Sequence, residues 1–272
     1  MALGTAYDGA AATWETGPGA VFRPLARLLV ASSPAPLAGR LVLDVGSGTG
    51  SVAEAAQAAG ARVVATDQSC AMVAVQAARR ATLAADVIAL PFRDGAFDAA
   101  LAGFVLNHLA PEPALGEMAR VLRPGGLVLA STWAGGAPDP VKSAIDEVLT
   151  RWGWVPPGWY REMMAEVLPV SGDAARLASA AERAGLLEVT ATARAEDLGV
   201  RDPRTVVAYR LAVPQVGPWV ATLDVAARVE LTRAAVEAVT RLIGAWRPVM
   251  VVVSGRVAAQ PSRRADRCNA GA

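Results

Sequence analysis

The chain has 272 residues, with 26 basic and 25 acidic side chains and a formal net charge of +1. It is long enough to bury a substantial core without disulfide or metal support, and it lacks the basic surface that a phosphate backbone demands, which excludes nucleic acid as a partner class. Cys70 and Cys268 lie far apart and show neither paired spacing nor a zinc-ligand pattern, so the expectation is a reducing compartment and no structural metal. The N-terminus has no basic start followed by an apolar core, and no stretch approaches the roughly 20 apolar residues that cross a bilayer, which points to a soluble, cytoplasmic protein with no membrane span.

In chain order, residues 20–30 (AVFRPLARLLV) carry apolar side chains at helical spacing, and a Pro- and Ser-containing loop follows. From Leu41 the pattern alternates: strand 41–45, helix 50–59, strand 62–66, helix 69–81, strand 86–89, strand 97–104, helix 112–121, strand 127–132. Gly125 and Gly126 read as a turn before that last strand. Short apolar strands separated by Ala-rich helices imply right-handed crossovers and a parallel sheet with helices on both faces. Ligands of such sheets sit at the carboxyl ends of the strands.

After Trp133 the alternation becomes irregular. An amphipathic stretch around Ile145, Val148 and Leu149 precedes RWGWVPPGWY, which is dense in aromatics and prolines. A helix over 173–184 ends at Gly185, the strand LLEVTATAR follows, and residues 203–245 read as two or three helices broken at Pro214, Gly217 and Pro218. Pro248 opens one more strand, and QPSRRADRCNAGA reads as a mobile tail. The expected organisation is one domain: an N-terminal helical lid segment over 1–38, a cofactor-binding core over 39–133, an aromatic-rich insertion over 134–172, the rest of the sheet over 173–260 with a helical insertion at 203–245, and a flexible tail over 261–272. The helices of 203–245 suit either a lid or a homodimer contact.

The stretch LVLDVGSGTG runs from a strand into a glycine loop and then a helix, an arrangement that lets a ligand approach the backbone closely. The dinucleotide fingerprint is G-x-G-x-x-G, whereas Gly46, Gly48 and Gly50 are spaced G-x-G-x-G. Asp44 adds a second distinction. A pyrophosphate beside its carboxylate would be repelled and an amino-acid ammonium attracted. Asp67 ends the second strand 21 residues after Gly46, where an acid accepts bonds from ribose hydroxyls, and Asp86 is placed to accept a bond from an exocyclic adenine amine. Three acids at successive strand ends suit a ligand offering an ammonium, two hydroxyls and an amine: S-adenosylmethionine.

LDVGSGTG, VVATDQSCAMV, DVIALPFRDGAFDAALAGFVLNHL and RVLRPGGLVLAST stand in that order between residues 41 and 132. With these motifs the sequence resembles the class I S-adenosylmethionine-dependent methyltransferases, in particular the small-molecule group similar to ubiquinone and menaquinone methyltransferases. The resemblance implies a Rossmann-like, mostly parallel seven-stranded sheet with a reversed last strand, supplied by 248–258, and a helical lid over the strand carboxyl ends. It also implies that Gly46, Ser47 and Gly48 hold the methionine end, that Asp67, with Gln68 and Met72 after it, holds the ribose, and that Asp86 and Val87 hold the adenine. Gly103 and Phe104 would lie beside the sulfonium.

His108, the chain's single histidine, follows the fourth strand at the edge where a methyl donor would lie. An imidazole there suits a general base near neutrality, and equally a packed ring that shapes the pocket. Tyr7 and Trp14 precede the first strand as candidate lid residues, and Trp133, Trp159 and Tyr160 are candidate walls of an apolar acceptor pocket. The reading is methyl transfer to oxygen, nitrogen or carbon of a small, largely apolar molecule of natural-product or quinone-like type. Its rivals are cyclisation or decarboxylation in a pocket holding the same cofactor, a nicotinamide oxidoreductase, and a non-catalytic cofactor sensor.

Overall fold

The computed structural model describes residues 7–259; the tail expected over 261–272, with Cys268, lies outside them. Seven strands form one sheet: β1 (Leu41–Val45), β2 (Arg62–Asp67), β3 (Ala81–Ala84), β4 (Phe97–Gly103), β5 (Leu122–Trp133), β6 (Leu187–Ala195) and β7 (Val249–Arg256). Their spatial order is β3-β2-β1-β4-β5-β7-β6. Neighbours from β3 to β5 pair in parallel, and β7 runs antiparallel to both β5 and β6. β7 is therefore the single reversed strand. The strand order turns around between β1 and β4, and in an open α/β sheet that switch point is where a ligand finds a crevice.

Side-chain alternation splits the core between the two sheet faces. Val42, Leu101, Leu127 and Leu129 face one apolar cluster, while Leu43, Ala100, Val128 and Ala130 face the other. The short helix α1 (Ala11–Trp14) precedes α2 (Gly19–Ala31), whose Val21, Leu25 and Leu29 are buried on the first face. The crossover helices are α3 (Ser51–Ala58), α4 (Cys70–Gln76) and α5 (Pro111–Arg120). Beyond β5 come α6 (Pro140–Arg151), α7 (Gly158–Glu162), a π-helical turn (Met163–Val167), α8 (Leu168–Ser171), α9 (Ala174–Arg183), α10 (Pro203–Ala212), α11 (Gly217–Ala221) and α12 (Val225–Val239). Asp139, Asp173, Asp202 and Asp224 start α6, α9, α10 and α12, each accepting a first-turn amide N–H. Ile145 and Leu149 of α6, Val206 and Val207 of α10, and Leu231, Ala235 and Val239 of α12 join the first-face cluster. Residues 203–245 thus extend the core of their own chain. No helix among the described residues is long and apolar enough to cross a membrane.

Two expectations change. The third strand is Ala81–Ala84, not 86–89, and the helix before it stops at Gln76. As an edge strand, β3 needs no continuous apolar run. Val87 and Leu90, which suggested a strand, tuck into the core from a tight turn closed by the Asp86–Ala89 bridge. Gly125 and Gly126 lie inside β5, which begins at Leu122; its pairing with β4 slips between Phe97 and Ala99, and Gly125 takes a φ of 77° at this irregularity.

Candidate functional site

A cavity of roughly 650 Å³ opens at the carboxyl ends of β1, β2, β4 and β5, within the size range of small-molecule sites. Gly46, Ser47 and Gly48, Asp67 and Gln68, and Asp86 and Val87 line one end. Gly103, Phe104 and His108 follow at the end of β4, with Tyr7, Trp14, Trp133 and Tyr160. Three of the residues singled out from the sequence are not on the wall: Asp44, Met72 and Trp159. Asp44 is fully buried beneath the glycine loop, Met72 packs against Trp14 and Ala11, and the Trp159 ring lies edge-to-face with Tyr160 at 5.9 Å.

The glycine loop needs its glycines for separable reasons. Gly46 has a φ of 62°, and a Cβ there would collide with Val105. Gly48, with a φ of 55°, has only Trp14 Nε1 at 4.0 Å, so its face is open to the cavity. Two residues that the sequence reading passed over hold the loop from behind. Gln76 Nε2 donates to Ser47 Oγ at 2.6 Å and to the Gly48 carbonyl at 2.7 Å, and Arg80 Nη1 donates to Gln76 Oε1 at 2.7 Å. Asp67 ties the loop to β2, because its Oδ2 accepts the Gly48 amide and its Oδ1 the Ser69 amide, both at 2.8 Å. Among the described residues each oxygen accepts one such hydrogen bond, which leaves a lone pair on each for a ligand hydroxyl. Asp86 accepts the Ile88 amide at 3.1 Å and receives Gln68 Nε2 at 3.4 Å.

Burial dominates the electrostatics. Asp44, whose carboxylate has no side-chain partner among the described residues, is pushed up to about 8 by burial, with the nearby Ala53 amide and Arg80 opposing and Asp67 adding to the rise. Burial raises Asp67 too, against the Ser69 and Gly48 amides. His108 is lowered to about 4 by burial, so its ring is neutral at pH 7. Its Nε2 lies 2.8 Å from Tyr7 Oη and 3.0 Å from Asn107 Nδ2. Burial holds the Tyr7 phenol protonated. Donation from Asn107 Nδ2 to Nε2 puts the ring proton on Nδ1, a buried atom without a partner among the described residues.

The Tyr7 segment is docked at three points: on His108, through Asp8 on Ser69 Oγ at 2.5 Å, and through Trp14 on Met72. Aromatic rings continue inward from it. Trp14 stacks on Phe22 at 5.5 Å, and Phe22 meets Phe104 at 5.3 Å, Trp133 at 6.1 Å and Tyr209 at 5.8 Å. Phe104 closes the cluster at 4.4 Å from Trp133, with a φ of 61° that bulky residues seldom adopt. That backbone turn swings its ring into the cavity wall directly after β4.

The far end is lined by Lys142 and Ile145 of α6, Tyr160 of α7, Met163 and Met164 of the π turn, and Tyr209 and Arg210 of α10. Sequence reasoning did not single out Lys142, Tyr209 or Arg210. A signal existed for one of them: Arg210 stands three and four residues after Val207 and Val206, on the face of α10 that the apolar pattern marks as buried. Among the described residues no cluster of three or more histidine, cysteine or acidic side chains could hold a metal ion.

The chain matches the family model of a methyltransferase domain over residues 43–130. It is 38% identical over 129 residues to a demethylmenaquinone methyltransferase of Renibacterium salmoninarum, covering 46% of this chain and 54% of that protein. A second demethylmenaquinone methyltransferase, of Thermus thermophilus, is 38% identical over 142 residues, covering 48% and 57%. The chain thus spans about half the length of these curated relatives. Among solved structures, a chain from the complex of the Haloferax volcanii Trm112 methyltransferase activator with a methyltransferase is similar in fold, with a TM-score of 0.59 at 20% identity, covering 96% of this chain and 99% of that one. The cyclase SpnF also shares the fold, with a TM-score of 0.52 at 20% identity over 88% and 82%.

Proposed function

From a chain that matches a methyltransferase domain model over residues 43–130, we propose an S-adenosylmethionine-dependent methyltransferase acting on a small, largely apolar, ring-bearing molecule of quinone-like or natural-product type. One observation carries the reading. The Gly46–Gly48 cradle and a carboxylate that keeps a free lone pair on each oxygen, Asp67, share a cavity with Asp86 and an aromatic cluster. The donor set fits the group. Backbone and glycine would receive the amino-acid end; Asp44, buried behind the loop and protonated at pH 7 in the cofactor-free chain, would become a countercharge to the ammonium only on giving up that proton. Asp67 would take the ribose hydroxyls and Asp86 the adenine amine. S-adenosylmethionine, when bound there, supplies an electrophilic methyl group on a sulfonium cation. The relatives named for demethylmenaquinone favour a flat, apolar acceptor.

The residues of this chain then contribute alignment and exclusion of water. Phe104, Trp133 and Phe22 present ring faces and edges that suit both a flat acceptor and a nearby cation. The docked Tyr7 segment covers the donor end. His108 is neutral at pH 7, but its Nε2 lone pair is engaged by Tyr7 and Asn107, and a base with a pKa of about 4 accepts a proton weakly. This arrangement favours His108 as the residue that positions Tyr7 and shapes the pocket, over His108 as general base.

Calorimetry on the purified chain tests the reading. S-adenosylmethionine and S-adenosylhomocysteine should bind at one site per chain, and reduced nicotinamide dinucleotides should give no heat. Binding of the nicotinamide alone would overturn the assignment. Consumption of an acceptor without the mass gain of a methyl group would overturn methyl transfer while leaving the cofactor site intact.

A further inference from the structure

An acceptor site for a purely apolar molecule has no need of a buried cation, yet the far end of this cavity holds one. Arg210 is 3% exposed, and a guanidinium is costly to bury without partners. Among the described residues its side chain makes one hydrogen bond, Nε to Asp146 Oδ1 at 2.8 Å. Nη2 lies 2.7 Å from that same oxygen, but it is buried without a hydrogen bond of its own. Asp146 is also shared, because its Oδ2 receives Lys142 Nζ at 2.7 Å. The other acid on this wall, Asp139, is committed elsewhere. Its Oδ1 caps α6 through the Lys142 amide at 2.9 Å, and its Oδ2 faces Trp246 Nε1 at 3.3 Å. Lys142 and Arg210 therefore share Asp146 as their one ion-pair partner among the described residues. Trp154 backs the guanidinium, 5.6 Å from ring centroid to guanidinium carbon, and the Tyr160 and Tyr209 phenols lie close enough to act on its charge.

We propose that Arg210 determines acceptor specificity, receiving on its Nη edge a carboxylate carried by an otherwise apolar aromatic molecule. A planar fork of N–H donors matches a carboxylate better than an ammonium does, and Asp146 with Trp154 fixes its orientation before the ligand arrives. The term acceptor rests on the methyl-transfer reading; the anion site itself does not.

The test is titration of the full chain with 2-naphthoate and with its neutral isostere 2-naphthamide, with and without saturating S-adenosylhomocysteine. The native chain should bind the acid at least about tenfold more tightly than the amide. Arg210→Gln should erase that preference while its affinity for S-adenosylhomocysteine stays within about twofold. Arg210→Lys keeps Asp146 partnered and should retain only part of the preference, which serves if the glutamine variant fails to fold. Equal affinity for acid and amide, absence of binding by both, or a preference that survives both substitutions would overturn the proposal. A chain that prefers the acid but ignores S-adenosylhomocysteine would instead overturn the cofactor reading and leave the anion site standing.

Discussion

The two ends of the cavity are built from different materials. The donor end is backbone and short polar side chains: Gly46, Ser47 and Gly48 from one turn, with Asp67 holding that turn through the Gly48 amide and Asp86 beyond it. The other end is long side chains brought from α6, α7, the π turn and α10, which lie up to 70 residues apart in the chain. A ligand at the first end is read by fixed dipoles and carboxylates. At the second it is read by rings, thioethers and one clamped guanidinium. Substitutions should sort accordingly, with donor-end changes altering cofactor affinity and far-end changes altering which acceptor is taken.

The sharpest separation is expected from Asp67→Ala against Trp133→Leu. Loss of Asp67 frees two backbone amides and removes the ribose acceptor, so affinity for S-adenosylhomocysteine should fall by about a hundredfold or more in calorimetry. Trp133→Leu should leave that affinity within a few-fold and change acceptor preference. If the two variants behave alike, the cavity is not divided in this way.

His108 and Tyr7 lie near the boundary. If His108 positions Tyr7, then His108→Ala and Tyr7→Phe should each cut turnover only several-fold and raise the KM for S-adenosylmethionine in parallel. A drop of about a hundredfold in kcat for His108→Ala alone, with KM unchanged, would make it the base instead.

Asp44 tests what lies beneath the loop. Its folded-state pKa of about 8 stands above the ordinary carboxylate value, so the folded chain holds a proton that the unfolded chain releases near pH 4. The stabilisation this provides is present at low pH and is lost as pH rises toward 8. Asp44→Asn should therefore raise the Tm of the cofactor-free chain at pH 8 by about 5 °C and weaken S-adenosylmethionine binding. A lower Tm at pH 8 would mean that the carboxylate is satisfied in the folded chain. His108 gives a smaller effect at the acid end. With a folded pKa of about 4 against an ordinary value of 6.5, the unfolded chain takes up the proton first. Stability should fall as pH drops from about 6.5 toward 4, and His108→Gln should flatten that part of the Tm profile.

These differences explain what could be read from the amino-acid order. The sheet was legible because β1, β2, β4 and the second half of β5 are short apolar runs, and the reversed β7 stands out in PVMVVVSGRVA. β3 was misplaced because an edge strand carries little apolar pattern. At the donor end, the glycine spacing and strand-end acids are local features, so Gly46, Gly48, Asp67 and Asp86 were found together. Gln76 and Arg80, which hold the loop from behind, were not, because their partners lie 28 to 30 residues away. At the far end, Arg210 meets Asp146 across 64 residues, and no local pattern encodes such a meeting. Trp159 illustrates the converse: an aromatic in a conspicuous run whose ring packs beside Tyr160 and does not line the cavity.

The most direct test is a crystal structure of the chain with S-adenosylhomocysteine. The account predicts the amino-acid end against Gly46 and Gly48, the ribose hydroxyls on Asp67, the adenine beside Asp86 and Val87, and the sulfur next to Phe104 with its open side toward Trp133 and Arg210. A nucleoside bound at the Arg210 end, or a sulfur facing away from the aromatic cluster, would contradict it.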